Sequence, residues 1–303
     1  MSDATQINTQ PNTQPNTQPE VVVFFEPITY TVTAVVIDPS TQRAAIVDSV
    51  LDFDYASGRT STRSADEVIT FVRERGLEVE WLLETHAHAD HLSAAPYLQE
   101  RLGGKIAIGE HIKTVQGVFA GVFAEGEGFK RDGSQFDVLF KEGDSFKVGS
   151  ISASVMHTPG HTPACVSYLI GDALFVGDTL FMPDYGTARC DFPGGSSKTL
   201  YQSIQRLLAL PPETRMFVGH DYLPHGRHHY TWETTVGAQR EGNVHVGGGR
   251  GEGEFVQMRD ARDATLAVPK LILPSIQVNI RAGRMPEADA AGRVFLKVPV
   301  NVL

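Results

Sequence analysis

The stretch "THAHADHLS" at residues 85–93 places three histidines and one aspartate within six consecutive positions. His86, His88, Asp90 and His91 follow directly on the apolar run "VEWLL". Imidazole nitrogens and carboxylate oxygens are common protein ligands of transition metals. A single histidine of this kind is usually an ordinary loop residue, but the joint spacing His-x-His-x-Asp-His predicts a catalytic metal site.

Three later stretches each combine a glycine with a ligand-type residue beside an apolar run. "HTPGHTPACV" (157–166) contains His161, "FVGDTL" (175–180) contains Asp178, and "FVGHDY" (217–222) contains His220 followed by Asp221. Glycine allows the backbone to turn sharply at a strand end, and loops at strand ends commonly hold functional groups. We therefore expect these side chains to converge on the cleft that contains the histidine cluster.

The elements that must position these residues follow from the apolar patterns. β-Branched runs at 21–27, 30–38 and 43–50 predict strands, and the stripe Val68, Ile69, Phe71 and Val72 predicts a helix over 64–78. Residues 79–85 predict a buried strand with the histidine cluster at its carboxyl end, where open α/β sheets bind ligands. Further predicted elements are helices at 94–103, 197–210, 231–241 and 253–267, a helix and a glycine-rich loop within 110–136, and strands at 105–109, 146–158, 165–178 and 216–220.

Two similar rounds of strands and helices predict two packed sheets with helices outside both. The expected fold class is therefore α/β (α+β), as a four-layer αββα sandwich. Residues 1–20 contain "NTQPNTQPNTQP", which has no apolar anchor, and predict a disordered low-complexity tail. We expect residues 21–303 to form one domain with an extended C-terminal region at 268–301.

Composition excludes several classes of protein. The 303 residues are 41% hydrophobic and have a net charge of −10, and clusters of Lys and Arg that would bind nucleic acid are missing. No apolar run approaches the roughly 20 residues of a membrane helix, and the N-terminus does not resemble a secretory signal. Two cysteines, Cys165 and Cys190, do not make a disulfide framework, so a cytoplasmic location is expected.

The motifs "THAHADH", "PGHT", "GD" and "GHDY" occur in an order and spacing that resemble the metallo-β-lactamase superfamily over residues 25–240. That resemblance implies the αββα fold with a metal cleft at one edge of the two sheets. It also implies a possible pair of ions. One would be held by His86, His88, His161 and Asp178, and the other by Asp90, His91, His220 and the shared Asp178.

Finer motifs distinguish two branches of that superfamily. Glyoxalase II enzymes, which are dinuclear zinc thioester hydrolases, usually have a histidine at the position of Cys165 and "GHEY" in place of "GHDY". The stretches "GTARCDFPGGSSKTLYQSI" (186–204), "GHTPACV" (160–166) and "NIRAG" (279–283) instead resemble the persulfide dioxygenase (sulfur dioxygenase) family.

The persulfide dioxygenase resemblance implies one Fe(II) per chain, bound by His86, His161 and Asp178. His88, Asp90, His91 and His220 would then be neighbours that orient the ligands, or a second metal site in the hydrolase alternative. The implied reaction oxidises glutathione persulfide, or a related small persulfide, with O2 to sulfite and thiol. Zinc is expected only if the site is misloaded or if the alternative holds.

The same resemblance suggests substrate contacts. Arg189 would pair with a substrate carboxylate and Tyr222 would direct its hydroxyl at the reacting sulfur, with Lys198 and Tyr201 as weaker candidates. The alternatives are an ion pair between Arg189 and Asp191 and a Tyr222 that is simply packed. Residues 110–136 and the C-terminal region could cover the cleft, form a homodimer contact, or alter the thiol carrier.

Overall fold

A computed structural model of the chain describes residues 18–302. The predicted disordered tail therefore lies, up to residue 17, outside the described residues. The first strand begins at Glu20, immediately after the low-complexity repeat ends.

Two six-stranded sheets form the centre of the molecule. The first sheet runs in the order β1 (Glu20–Glu26), β2 (Thr31–Asp38), β3 (Arg43–Val47), β6 (Glu78–Leu83), β8 (Lys105–Gly109) and β9 (Val138–Phe140). The second runs in the order β10 (Ser145–Val148), β11 (Ile151–His157), β12 (Val166–Ile170), β13 (Ala173–Phe175), β14 (Arg215–Phe217) and β15 (Glu233–Thr235). A small third sheet contains β5 (Arg59–Ser61), β4 (Val50–Asp54) and β7 (Leu92–Ser93).

The helices lie on the outer faces of the two large sheets. They are α1 (Arg63–Glu74), α2 (Ala95–Leu102), α3 (Ile112–Val122), α4 (Ser197–Leu208), α5 (Val236–Gly242), α6 (Glu252–Asp263) and α7 (Ile272–Asn279). No helix within residues 18–302 is long and apolar enough to cross a membrane.

Alternation along the strands divides the interior into three apolar cores. On β2, Val35 and Ile37 join a core under α1, α2, α3 and α7, whereas Ala34 and Val36 face the second sheet. A third core lies between the second sheet and α4, α5 and α6, where Leu174 packs with the helical residues. Helix, sheet, sheet and helix thus form four layers, and the predicted αββα sandwich is confirmed.

The two sheets approach each other closely at one edge. The backbone NH of Val32 donates to the carbonyl of Gly219 at 2.9 Å, and that of Asp221 donates to Tyr30 at 3.2 Å. Because β3, β6, β13 and β14 all end on this side, the loops that follow them meet there.

Two regions differ from the sequence prediction. The predicted helix at 231–241 begins as β15, which pairs with β14, and becomes helical only at Val236. The extended C-terminal region, for which no helix was predicted, contains α7, whose Ile276 packs into the first core. A proline at position 274 and apolar residues on all sides of the helix hide the periodicity by which an amphipathic helix is recognised.

Candidate metal centre

The histidine cluster lies in the loop between β6 and β7, and this loop is anchored by Asp48. Asp48 follows β3 and is 3% exposed. Its carboxylate accepts hydrogen bonds from the backbone NH and the hydroxyl of Thr85, both at 2.8 Å. The start of the "THAHADH" loop is therefore held by the neighbouring parallel strand.

His86, His161 and Asp178 converge at the edge of the two sheets. The Nε2 atoms of His86 and His161 each lie 3.7 Å from Asp178 Oδ2, and all three residues are buried. Gly160 and Gly177, which precede two of them, have φ of +138° and +49°. A Cβ at Gly160 would lie 2.3 Å from the backbone of Leu200, and one at Gly177 would lie 2.3 Å from Thr85 Oγ1. Glycine is thus required at both turns.

The opposite nitrogen of each imidazole is already engaged. His161 Nδ1 donates to the carbonyl of Arg189 at 2.8 Å. His86 Nδ1 lies 3.0 Å from Thr85 Oγ1, and that hydroxyl gives its own proton to Asp48, so it accepts from His86. Both rings therefore present a lone pair on Nε2 toward Asp178, which is the form that binds a metal.

Several buried polar atoms at this centre are placed so that a bound cation would satisfy them. His86 Nε2 and Asp178 Oδ1 are buried and have no hydrogen-bond partner among residues 18–302, and buried polar atoms without a partner are costly. Burial, followed by the nearby His88 and His161, holds the pKa of His86 well below its usual value. A neutral imidazole is the ligand form, so the three residues fit a bound transition metal.

A second group of potential ligands adjoins the first. Asp90 Oδ2 lies 3.1 Å from His220 Nε2, which in turn lies 3.4 Å from Asp178 Oδ1, but neither contact has hydrogen-bond geometry. Burial alone would raise the pKa of Asp90, but the charge of His220 and the contact with His91 outweigh it and lower that pKa. His88, Asp90, His91 and His220 offer ligand atoms within 4.8 Å of one another. The arrangement of donor atoms is therefore compatible with one ion or with two.

His88 is turned partly away from the other ligands. Its Nε2 lies 3.0 Å from Asp48 Oδ1 and 3.3 Å from Glu84 Oε2. Burial lowers the pKa of His88, but the charge of Asp48 and hydrogen bonds to both carboxylates raise it well above its usual value. Asp48 and Glu84 were not among the residues predicted from the sequence. The available signal was an acidic residue directly after an apolar strand, in "AAIVD" and in "WLLE".

A cavity of about 1320 Å³ opens over the first group and contains His161, Asp178 and Asp90 in its floor. One wall is the β4–β5 hairpin. Another wall is formed by residues of the C-terminal segment 259–271. Aromatic side chains surround the metal end, namely Phe181, Tyr185, Phe192 and Tyr222. Residues 110–136 do not line this cavity, so the expectation that they could cover the cleft is wrong.

Arg189 and Tyr222 both line the cavity. Arg189 donates through Nε and Nη2 to Asp191, each at 2.6 Å, and through Nη1 to the carbonyl of Ala267 at 2.7 Å. The ion pair considered as its alternative role is thus present, within the wall of the cavity. The ring of Tyr222 stacks on His220 at 5.4 Å, and burial, then the charges of Asp90 and Asp178, raises the pKa of its hydroxyl well above the usual value.

Lys198 and Tyr201 lie elsewhere and are dropped as substrate contacts. Both are on α4, which begins after the N-cap Ser196 and packs against α6. Lys198 Nζ lies 3.7 Å from Glu252, and the Tyr201 hydroxyl donates to the carbonyl of Arg250 at 2.8 Å. Neither side chain lines the metal cavity, because this face of α4 is directed toward α6.

Residues 28–220, more than half of the chain, match the sequence profile of the metallo-beta-lactamase superfamily. The chain belongs to this superfamily. The match begins just after β1 and ends at His220, so it includes every residue of the two ligand groups.

Individual relatives within the superfamily have different names. A probable metallo-hydrolase of Burkholderia pseudomallei is 52% identical over 92% of this chain and 98% of its own length. Glyoxylase B2 of Dictyostelium discoideum is 48% identical over 93% and 97%. The human mitochondrial persulfide dioxygenase ETHE1 is 31% identical over 65% and 66%. The crystal structure of ETHE1 from Myxococcus xanthus superposes with a TM-score of 0.69 and 29% identity, over 88% of this chain and all of that one.

Proposed function

We propose that this metalloenzyme is a persulfide dioxygenase with one Fe(II) held by His86, His161 and Asp178. The observation that carries the proposal is the convergence of two Nε2 atoms and one carboxylate, each imidazole being fixed through Nδ1. Two histidines and one carboxylate on one face are the ligand set of non-haem Fe(II) oxygenases. Similarity to proteins named persulfide dioxygenase or ETHE1 supports the same reading.

The reaction converts a persulfide, O2 and water into a thiol and sulfite. The terminal sulfur loses four electrons, O2 gains four, and the S–S bond breaks with the thiol as leaving group. When bound, Fe(II) would supply open coordination positions for the persulfide and for O2, and it would pass electrons from the sulfur to the oxygen. The protein need not supply a nucleophilic side chain.

The surrounding residues have separate tasks in this scheme. Tyr222 keeps its proton because its pKa is raised, and among residues 18–302 its hydroxyl has no hydrogen-bond partner, so it can donate to a sulfur anion. Arg189 lies between Asp191 and the cavity and can bind a substrate carboxylate. Arg59, Arg262 and Lys270 line the outer cavity and make no ion pair within the described chain. This basic rim suits an anionic thiol carrier such as glutathione.

A dinuclear zinc thioester hydrolase is the second candidate. Beside the first group, His91 Nε2, His88 Nδ1 and Asp90 Oδ2 are buried and find no hydrogen-bond partner in the described part of the chain, and a second ion would satisfy them. The 48% identity with a protein named glyoxylase B2 is in keeping with that alternative.

Oxygen consumption separates the two candidates. Protein purified anaerobically and loaded with Fe(II) should take up O2 on addition of glutathione persulfide and release one sulfite for each O2. The same protein should not cleave S-lactoylglutathione. Cleavage of that thioester by zinc-loaded protein, with no O2 uptake by either form, would establish the hydrolase instead.

A further inference from the structure

Asn279, the last residue of α7, makes two hydrogen bonds to the loop that contains the proposed metal ligands and a third to the strand that follows it. Its Nδ2 donates to the carbonyls of His88 and His91, both at 2.8 Å. Its Oδ1 accepts from the backbone NH of Ser93 at 2.9 Å. Asn279 is 4% exposed, so water does not compete for these contacts.

These bonds bracket the part of the loop that contains Asp90. A loop buried among side chains cannot pair its carbonyls with neighbouring strands, so another group must satisfy them. An amide is suited to this task because it offers two donors and one acceptor. Asn279 uses both donors on the loop and its acceptor just beyond it, which fixes the backbone at three points.

Close packing fixes the position of α7. Ile276 and Ile280 lie in the first apolar core. Gly283 has φ of +81°, and a Cβ there would lie 2.6 Å from Pro96 and 2.9 Å from the carbonyl of Ser93. The turn after α7 is thus pressed against the start of α2, directly behind the metal loop. A rigid helix end therefore holds Asn279 in register with the loop.

We propose that Asn279 is a positioning residue of the metal centre, through which the C-terminal helix sets the geometry of the His-x-His-x-Asp-His loop. The proposal rests on the metal centre of the proposed function but not on its persulfide chemistry. Residues that orient ligands from behind typically change metal affinity roughly 10- to 100-fold when they are replaced. We expect an effect of that size here.

The test compares two substitutions on the same helix. Asn279→Ala removes the two bonds to the loop and the third to the strand that follows it. Gln277→Ala is the matched control, because Gln277 is equally buried and also makes three bonds, to Leu273 and Lys297, none of which reaches the loop. Both apoproteins are titrated with Co(II), whose visible absorption reports ligand geometry, and both are unfolded in urea.

The expected result is a similar loss of stability in the two variants but weaker Co(II) binding and shifted absorption bands only in Asn279→Ala. Unchanged Co(II) affinity and bands in Asn279→Ala, or equal losses in both variants, would overturn the proposal. Neither measurement requires persulfide or O2, so the test of Asn279 remains valid even if the protein does not catalyse the proposed reaction.

If Asn279→Ala does not fold, the wild-type protein provides the measurement. Because coupling between two sites is reciprocal, Co(II) binding should slow amide hydrogen exchange at residues 276–283 as well as in the ligand loop. Exchange in the C-terminal segment 285–300 should change less. Unaltered exchange at 276–283 on Co(II) binding would overturn the proposal.

Discussion

Each imidazole of the proposed ligand set has its tautomer fixed by a partner on a different element. His161 gives its Nδ1 proton to the carbonyl of Arg189, and His86 is linked through Thr85 to the carboxylate of Asp48. Fixed tautomers avoid the entropic cost of orienting free rings when the metal binds. Metal affinity should therefore depend on residues that never touch the ion.

His161→Ala removes one of the three proposed ligands and should abolish stoichiometric Fe(II) binding while leaving the fold intact, because the cores are apolar and lie apart from this side chain. Iron content after anaerobic loading and far-UV circular dichroism measure the two effects. His157→Ala is the control, since His157 lies in the same motif but its ring bonds the carbonyl of Pro163 and stacks on His111. Full iron occupancy in His161→Ala would refute the assignment of His161.

Arg189→Ala should raise KM for glutathione persulfide by roughly tenfold with little change in kcat, because a charge-assisted hydrogen bond contributes about 1.5 kcal/mol or more to binding. Steady-state oxygen uptake gives both constants. Arg293→Ala, which removes a surface pair with Asp289, serves as the control. An unchanged KM would remove Arg189 from the substrate site.

The candidate ligands were predictable from the sequence, but the groups that orient them were not. Four candidates lie together in "HAHADH", and the others follow a glycine. Asp48 and Glu84 are single acids in ordinary strand contexts, and only the pairing of β3 with β6 places them beside His88. Spacing along a chain cannot reveal a contact that depends on strand order.

The β4–β5 hairpin and the segment 259–271, which begins within α6, both form walls of the cavity. The sequence suggested two regions that could cover the site, and only the C-terminal one lines it. Residues 110–136 instead contribute α3, whose Val115 and Phe119 pack on the outer face of the first sheet. An amphipathic helix signals that a face is buried but not which sheet buries it.

The double variant Arg262→Gln with Lys270→Gln removes both cations of the C-terminal wall. We expect each lost charge to raise KM for glutathione persulfide by about two- to fivefold, because partly exposed ion pairs contribute that much to binding. KM for 2-hydroxyethyl persulfide, whose carrier group is uncharged, should not change, and added salt should reduce the difference between wild type and variant. Lys198→Gln, which removes a cation outside the cavity, is the matched control. Equal KM changes for the two substrates would show that these cations do not bind the charged groups of the thiol carrier.

In the four-layer fold as a whole, the two sheets approach each other at one edge, and the loops with the candidate ligands meet there. This arrangement followed from the two rounds of strands and helices. The size of the opening did not, because a cavity of about 1320 Å³ depends on loops from both ends of the chain. It exceeds the range of roughly 300–1,000 Å³ that is usual for small-molecule sites, which leaves room for a thiol carrier.

Global stability should depend on pH through His245, a buried residue whose Nδ1 accepts a hydrogen bond from the backbone NH of Thr187 at 3.0 Å. Burial, then the charges of Arg259, Arg262 and Arg250, lowers the pKa of His245 to about 4. The folded state thus prefers the neutral ring, so its contribution is complete above the unfolded pKa of about 6.5 and is lost as the pH falls toward 4.

Urea unfolding at several pH values between 7 and 4.5 checks this expectation. The wild-type free energy of unfolding should fall more steeply with decreasing pH than that of His245→Asn, which cannot be protonated. His225→Asn, at an exposed position, should behave as wild type. Parallel pH profiles for wild type and His245→Asn would contradict the prediction.

A single ferrous ion bound by His86, His161 and Asp178 is proposed to support oxidation of a persulfide. The most direct measurement is an anaerobic titration of apoprotein with Fe(II), followed at each point by the initial rate of O2 uptake with glutathione persulfide. We predict a rate that rises linearly to one equivalent of Fe(II) per chain and then stays constant. A rate that rises to two equivalents, or no O2 uptake at any ratio, would contradict the account.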